Sequence, residues 1–220
     1  MKLVDLDKLL PADIPEGERV LWYGRPDWVS LARNAYRADI VAVYFGALMI
    51  WNLDLGGADV GLAALAINLS KSLVLALAGL GLLCLLAWLS ARTTLYVITS
   101  RRIVMKVGIA LPIFFNIPYS QIESAALRLF RDGAGDIPLA LAAGRRIAYL
   151  HLWPHARPFH IANPQPALRS VPDAALVAEA LREAMIAEAQ ARLGKAGAGA
   201  QGLTTAPATQ QPFPSGAVAA

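Results

Sequence analysis

The sequence is poor in cysteine and in charge. Its 220 residues include one cysteine, Cys84, so neither a disulfide within the chain nor a cysteine-based zinc site can form. Charged residues make up 16% of the chain, against about 25% in an average soluble protein. Neither a glycine-rich phosphate loop nor an HExxH motif occurs. We therefore expect a protein that is not an enzyme and carries no metal or other cofactor. The modest net charge of +4 favours no nucleic-acid partner.

The longest strongly apolar run covers residues 73–89, carries no charge and reads LVLALAGLGLLCLLAWL. As a helix it would rise about 26 Å, close to the hydrocarbon thickness of a bilayer. It is apolar all round and has no polar stripe to face water. The run predicts a membrane-spanning helix over residues 72–90, with a buried core helix of a soluble domain as the alternative.

A second apolar run, IVAVYFGALMIWNL at residues 40–53, predicts another span over residues 38–54. Residues 55–71 between the two runs are interpreted as a loop or an interfacial helix. Six Lys/Arg precede residue 40, one lies between the runs and thirteen follow residue 89. The positive-inside rule then predicts a multi-pass membrane protein with both termini cytoplasmic.

After the second run the pattern changes to short strands. Candidates lie at residues 94–99, 103–107, 114–118, 122–129, 137–141 and 147–152. An amphipathic helix follows over residues 173–193, with Leu176, Leu181 and Met185 on its apolar face. The fold class expected is α+β: a two-helix transmembrane hairpin, then an antiparallel β-sandwich or barrel capped by a C-terminal helix.

Four regions follow from these patterns. They are a cytoplasmic N-terminal segment (1–37), the transmembrane hairpin (38–91), the β-rich domain (92–193) and a disordered tail (194–220). Within the first segment, residues 17–28 indicate a short strand and turn. Residues 28–35 show helical spacing, which fits either an amphipathic helix at the membrane surface or a lead-in to the first span.

Basic residues are the candidate binding groups. Arg101, Arg102 and Lys106 follow the membrane exit closely, and Arg145 and Arg146 would extend the patch if their turn lies at the same end. Near a leaflet each cation gains about 1 kcal/mol from anionic lipid, so membrane lipids are the expected partner. Solvated turn residues that only enforce topology are the alternative.

Small residues in the second apolar run are candidates for helix packing. Ala78, Gly79 and Gly81 permit close helix approach, although their spacing is not GxxxG. Three roles are open for these small residues: packing against the first span, docking on a helix of a client subunit, and self-association.

Three histidines, His151, His155 and His160, cluster within ten residues. They could form a metal or haem site, but no cysteine, Asp or Glu lies between them. We interpret them instead as surface and loop residues near the end of the sheet.

The strand region resembles the bacterial pleckstrin-homology (PH) domain. The matching stretches are YVITSRRIV at residues 96–104, IPYSQIE at 117–123 and the turn at 135–137, with GERVLW at 17–22 upstream. This resemblance implies a PH-like fold beside a membrane hairpin, and names a fold more securely than a function.

Two further stretches, GRPDW at residues 24–28 and LWPHARPFH at 152–160, are similar to the photosynthetic complex assembly proteins of purple phototrophic bacteria, which are encoded near the reaction-centre H subunit. The resemblance implies a non-enzymatic inner-membrane factor with reaction-centre and light-harvesting subunits as partners. The alternative is a generic membrane-anchored PH-domain protein that binds lipid or scaffolds another complex.

Overall fold

A computed structural model describes residues 15, 17–55, 61–109, 111–142, 153–157 and 164–203. Along the described part of the chain, one strand precedes two long helices and the other seven strands follow them. The elements are β1 (Val20–Gly24), α1 (Trp28–Asn34), α2 (Ala38–Leu55), α3 (Leu62–Thr93), β2 (Leu95–Thr99), β3 (Arg102–Val107), β4 (Ile113–Pro118), β5 (Ile122–Ala125), β6 (Arg128–Leu129), β7 (Gly135–Leu141), β8 (Ala167–Val171) and α4 (Ala174–Leu203).

The first sheet is antiparallel in the order β1-β2-β3-β4. Tyr23 of β1 pairs with Val97 of β2, and Gly24 pairs with Tyr96. The strand before the two long helices therefore joins the strand after them. The predicted boundary at residue 92 is wrong in this respect, because the N-terminal segment contributes an edge strand and the helical hairpin is an insertion in the domain. Sequence pattern could identify the strand, but not its partner 71 residues later.

The second sheet is built around β7, which pairs with β5, β6 and β8. The two sheets and α4 share one core, in which side chains from all three layers are almost completely excluded from solvent. It includes Tyr96, Ile98, Ile103 and Met105 from the first sheet, Ile137, Leu139, Leu168 and Val171 from the second, and Val177, Leu181 and Ala184 from α4. The α+β class and the antiparallel, helix-capped arrangement are thus as expected.

Two strand predictions differ from the structure. The run predicted over residues 122–129 is divided into β5 and β6, and β8 was not predicted. β8 has the sequence ALRSV, and all five of its residues are buried. Its buried Arg169 and Ser170 break the alternation of apolar and polar residues that marks a strand. The candidate strand at 147–152 lies outside the described residues.

Helix α1 begins at a side-chain cap, in which Asp27 Oδ2 accepts a hydrogen bond of 2.8 Å from the Ser30 amide. Its apolar side chains Leu31 and Ala32 are buried against Ala87 and Ala91 of α3. The helix is therefore packed on protein through these residues, while Trp28 at its start is 44% exposed and Arg33 faces outward. This arrangement fits the lead-in better than a helix lying on the membrane.

Helices α2 and α3 pack against each other as a hairpin. The stretch 62–71, interpreted as a loop or interfacial helix, instead continues into the second apolar run as one helix of 32 residues, about 48 Å long. Only 11% of the most apolar stretch of α3 is buried within the protein. α3 is long and apolar enough to cross a membrane, whereas the apolar part of α2, Ala38–Leu53, is shorter.

Helix α4 continues to Leu203, into the segment predicted as a disordered tail. Residues 204–220 lie outside the described residues. Leu176, predicted on the packed face, is 73% exposed, because Ala174, Val177, Leu181 and Ala184 face the core.

Pairing across the hairpin predicts a specific disulfide. In a Cys84→Ala background, the double variant Tyr23→Cys/Val97→Cys places two thiols on directly opposed residues, where cross-strand distances suit a disulfide. After oxidation and proteolytic cleavage between α2 and α3, we expect the two fragments to stay linked on a non-reducing gel.

The matched control is Tyr23→Cys/Val104→Cys, because Val104 lies on β3, one strand beyond Val97. It should not cross-link. Equal cross-linking of both pairs, or of neither, would contradict the β1-β2 register.

Candidate functional site

A buried polar network lies where α3 enters the sheet. His155 is completely buried there. Its Nε2 atom lies 3.0 Å from Thr94 Oγ1 and 3.3 Å from Ser90 Oγ, and its Nδ1 atom lies 2.6 Å from the Tyr96 hydroxyl. The Tyr96 hydroxyl in turn accepts a hydrogen bond of 3.1 Å from the Arg169 amide. The histidine therefore joins the end of α3 to β2 and β8.

The second half of the network is a buried ion pair. Arg169 Nε lies 2.9 Å from Asp136 Oδ2, and both side chains are more than 90% buried. Asp136 Oδ1 also accepts a hydrogen bond of 2.9 Å from the Ser170 amide. A buried charge is costly unless it is paired and hydrogen-bonded, and here each partner meets that condition.

Arg169 extends this network to α1. Its Nη2 atom donates to the Asn34 carbonyl at 3.2 Å, at the end of α1, and its Nη1 atom donates to the Ala156 carbonyl at 3.1 Å. The start of α1 is also fixed to β8, because the Asp27 amide donates to the Ser170 carbonyl at 2.8 Å. Since α1 packs on α3, β8 holds the base of α3 through both ends of one short helix.

The protonation states follow from this burial. Desolvation, assisted by the Arg169 charge, lowers the pKa of His155 to about 3. Desolvation raises the pKa of the Tyr96 hydroxyl. At neutral pH the imidazole is uncharged and the phenol keeps its proton. The bonds are satisfied when Tyr96 donates to Nδ1 and Nε2 donates to Thr94.

The expectation that the histidines are surface residues is wrong for His155. Both of its ring nitrogens have hydroxyl partners, through which the side chain connects the end of α3 to β2. His151 and His160 lie outside the described residues. Within the part of the chain that the structure describes, there is no group of three or more His, Cys, Asp or Glu residues that could hold a metal ion.

The basic residues predicted as one patch are separated. Lys106 pairs with Leu95 next to the end of α3, whereas Arg102 lies at the other end of β3, about 13 Å away along the strand. Arg102 is also engaged by Glu18, with 2.8 Å from Nε to Oε1 and 2.7 Å from Nη2 to Oε2. Arg101 is exposed beside it. Arg145 and Arg146 lie outside the described residues.

The three small residues of α3 do not share one face. A Cβ added to Gly79 would lie 3.5 Å from the Phe45 ring, so Gly79 faces α2. Gly81 has no neighbour within 4 Å of such an atom, and Ala78 is exposed. Gly79 therefore serves packing within the hairpin, and Ala78 and Gly81 face outward.

The buried network was not predicted from sequence. In the sequence, Asp136 falls in the turn at residues 135–137, and neither Tyr96 nor Arg169 has a predicted role. A charged residue between apolar ones, as in ALRSV, is the one signal that could have drawn attention to β8. It does not identify Asp136 as the partner, because that residue lies on another strand.

The geometry is that of a helix-capped β-sandwich interrupted by a helical hairpin, and a family model agrees with it. The model described as "Bacterial PH domain" matches residues 41–185. The chain belongs to the bacterial PH domain family. The matched residues begin within α2. Strand β1 precedes them in the chain and nevertheless forms part of the first sheet of the domain.

A relative extends this similarity to most of the chain. It is an uncharacterized 23.7 kDa protein in the puhA 5′ region of Rhodobacter capsulatus, 40% identical over 189 residues. The alignment covers 84% of this chain and 86% of that protein. No solved structure matches the chain.

The lowered pKa of His155 predicts a pH-dependent stability. Below pH 6.5 this ring is protonated in the unfolded chain but not in the folded chain. The free energy of unfolding therefore decreases as the pH falls. Between pH 6.5 and about 3 the free energy of unfolding should fall by up to about 1.4 kcal/mol per pH unit from this group. The measurement is denaturant unfolding in detergent micelles across that range.

In His155→Gln this component disappears, so its stability should vary less steeply with pH than that of the parent. The control is Arg157→Gln, an exposed change two residues away, which should keep the full slope. An unchanged slope in His155→Gln would mean that the imidazole is not held neutral by the network.

Proposed function

We propose that this chain is a non-enzymatic assembly factor of the inner membrane, which helps photosynthetic reaction centres and, secondarily, the core light-harvesting complex to accumulate. It would hold client subunits by helix packing within the bilayer and by the surface of its PH domain. Its partners would be membrane lipids and reaction-centre and light-harvesting subunits.

The observation that carries the anchoring part of this proposal is the pairing of β1 with β2. The chain leaves the sheet at Gly24 and returns to it at Leu95, so both ends of the hairpin lie on one side of any membrane. If α3 crosses the bilayer, α2 must bring the chain across as well. The number of crossings is then two, and α2, about 27 Å long, is nearly long enough.

Side chains at both helices support this placement. Large apolar residues point outward along the hairpin, among them Val43 at 73% exposure, Ile50 at 69% and Val74 at 66%. Near the end of α3, the Arg92 guanidinium stacks over the Trp88 ring at 5.1 Å. A tryptophan beside an arginine at the end of a span is typical of a membrane interface.

The photosynthetic context rests on relatives. The Rhodobacter capsulatus protein lies in the puhA 5′ region, which is a reaction-centre gene region. This agrees with the resemblance of residues 24–28 and 152–160 to photosynthetic complex assembly proteins. In the described residues, the His155 ring is bonded to side-chain hydroxyls, and Arg169 is bonded to Asp136 and to backbone carbonyls. These structural bonds favour a scaffold over a catalyst.

Single-cysteine labelling tests the two-span topology. In a Cys84→Ala background, Gly57→Cys lies between the helices and Arg101→Cys lies in the domain. With a membrane-impermeant maleimide, we expect Gly57→Cys to label in intact spheroplasts and Arg101→Cys to label only after lysis. Labelling of both from the same side would contradict a two-span hairpin.

Gene deletion tests the assembly role. Membranes of the deletion strain, grown under phototrophic induction, should show reduced reaction-centre absorption bands that the intact gene restores. A second complementing gene replaces residues 62–82 by an unrelated apolar span of equal length and keeps the α3 turns that pack on α1. Failure of that gene to restore the bands would assign client contact to the helix surface.

Unchanged absorption in the deletion strain would contradict the assembly role. The fold and the membrane anchor would be unaffected, and the alternative of a membrane-anchored PH-domain protein that binds lipid or scaffolds another complex would then explain the structure better.

A further inference from the structure

A cationic cleft lies beside the end of α3, at a different place from the predicted basic patch. It has a volume of about 210 Å³ and is lined by Arg25, Arg92 and Lys106, with no acidic residue among its lining side chains. The three cations come from separate parts of the chain: the turn after β1, the last turn of α3, and β3. Their convergence follows from the β1-β2-β3 pairing, so the sequence does not reveal it.

We propose that this cleft binds the phosphate group of an anionic phospholipid of the surrounding membrane. The inference rests on the membrane placement of α3 in the proposed function. It adds a defined lipid site to the protein and moves the lipid contact away from Arg101 and Arg102.

Charge is the first argument. Arg92 and Lys106 lie over aromatic rings, 5.1 Å from the Trp88 centroid and 5.6 Å from the Phe114 centroid, and no ion pair with an acidic side chain is found for either in the described residues. Arg92 also offsets the partial negative charge of the α3 C-terminus. Arg25 and Lys106 have no such role at a helix end, which leaves their charges for an external anion.

Shape is the second argument. The cleft has about the volume of seven water molecules, which suits a phosphate with part of a headgroup but is below the range of sites that enclose a drug-sized ligand. One wall is the tight turn at Gly108, whose φ of +117° and close approach to the Leu111 carbonyl exclude any side chain. A fixed wall of this kind preserves the opening between β3 and the end of α3.

The third argument is the apolar edge of the cleft, which favours a lipid over a soluble phosphate. In the β3–β4 loop, Ile109 is 41% exposed and Leu111 is 79% exposed, and Ile109 also lines the cleft. Trp88, in the last turns of α3, is 40% exposed and lies under the guanidinium of Arg92, which lines the cleft. Apolar side chains beside a cationic cleft can contact acyl chains while the cations hold the phosphate.

The test uses the full-length protein, purified in mild detergent and stripped of lipid. Native mass spectrometry would measure retention of phosphatidylglycerol against phosphatidylcholine with the same acyl chains. We expect the unaltered protein to prefer phosphatidylglycerol. Arg25→Gln, Arg92→Gln and Lys106→Gln should each weaken that preference about fivefold, and the triple variant should abolish it.

The matched control removes three other exposed charges by Arg19→Gln, Arg101→Gln and Arg131→Gln, all outside the cleft. It should keep the preference. The double variant Arg25→Lys/Arg92→Lys keeps both positive charges and should prefer phosphatidylglycerol as the unaltered protein does. It therefore shows whether the glutamine variants lose the preference through loss of charge or through loss of the fold. Thermal midpoints of all variants should agree within a few degrees.

Three outcomes would overturn the proposal. They are equal weakening by the control triple, no preference in the unaltered protein, or full displacement of the lipid by millimolar inorganic phosphate, which would make the cleft a soluble-phosphate site. The assembly role is judged separately by the absorption spectra. Normal complementation by the cleft triple would leave that role intact even if the lipid preference is lost.

Discussion

The backbone hydrogen bonds between β1 and β2 constrain the rest of the structure. These strands flank the helical hairpin in sequence and are neighbours in space, so the hairpin leaves the domain and returns to it at one edge. Everything proposed about the membrane depends on that closure. A domain attached by a single tail could rotate about its linker, whereas a domain whose sheet is interrupted by the hairpin is held at two points.

The buried network converts this closure into a rigid joint. His155 bonds the last turn of α3 to Tyr96, and Arg169 bonds α1, β7 and the 153–157 segment. Such polar groups gain less in stability than apolar ones would, but they require specific partners and so define one arrangement. Removing one partner leaves another buried and unsatisfied, which costs about 1 to 3 kcal/mol for a neutral group and more for a charge. The angle between hairpin and domain is therefore set by hydrogen bonds as well as by packing.

The same joint determines which cations lie near the end of α3. Strand register brings Lys106 to the end of α3 and carries Arg101 and Arg102 to the opposite end of the strands, where Glu18 neutralises Arg102. Closeness in sequence to the apolar run therefore does not predict closeness to the end of α3, because one strand of five residues moves the chain about 17 Å. Arg25, which precedes both long helices, lies nearer to Lys106 in the fold than the chain order suggests.

The sequence by itself determined the elements that depend on local pattern. Continuous apolarity marked both long helices, β-branched and aromatic residues between turns marked most strands of the first sheet, and the resemblance of residues 96–104 and 117–123 indicated the PH fold. What it could not determine are the long-range pairings: β1 with β2 across the hairpin, Asp136 with Arg169, His155 with Tyr96, and the cluster of Arg25, Arg92 and Lys106. Periodicity reports which face of a segment is buried, but not against what. Only the tertiary structure decided those partners, because they lie on different strands and helices that become neighbours only when the sheet closes around the hairpin.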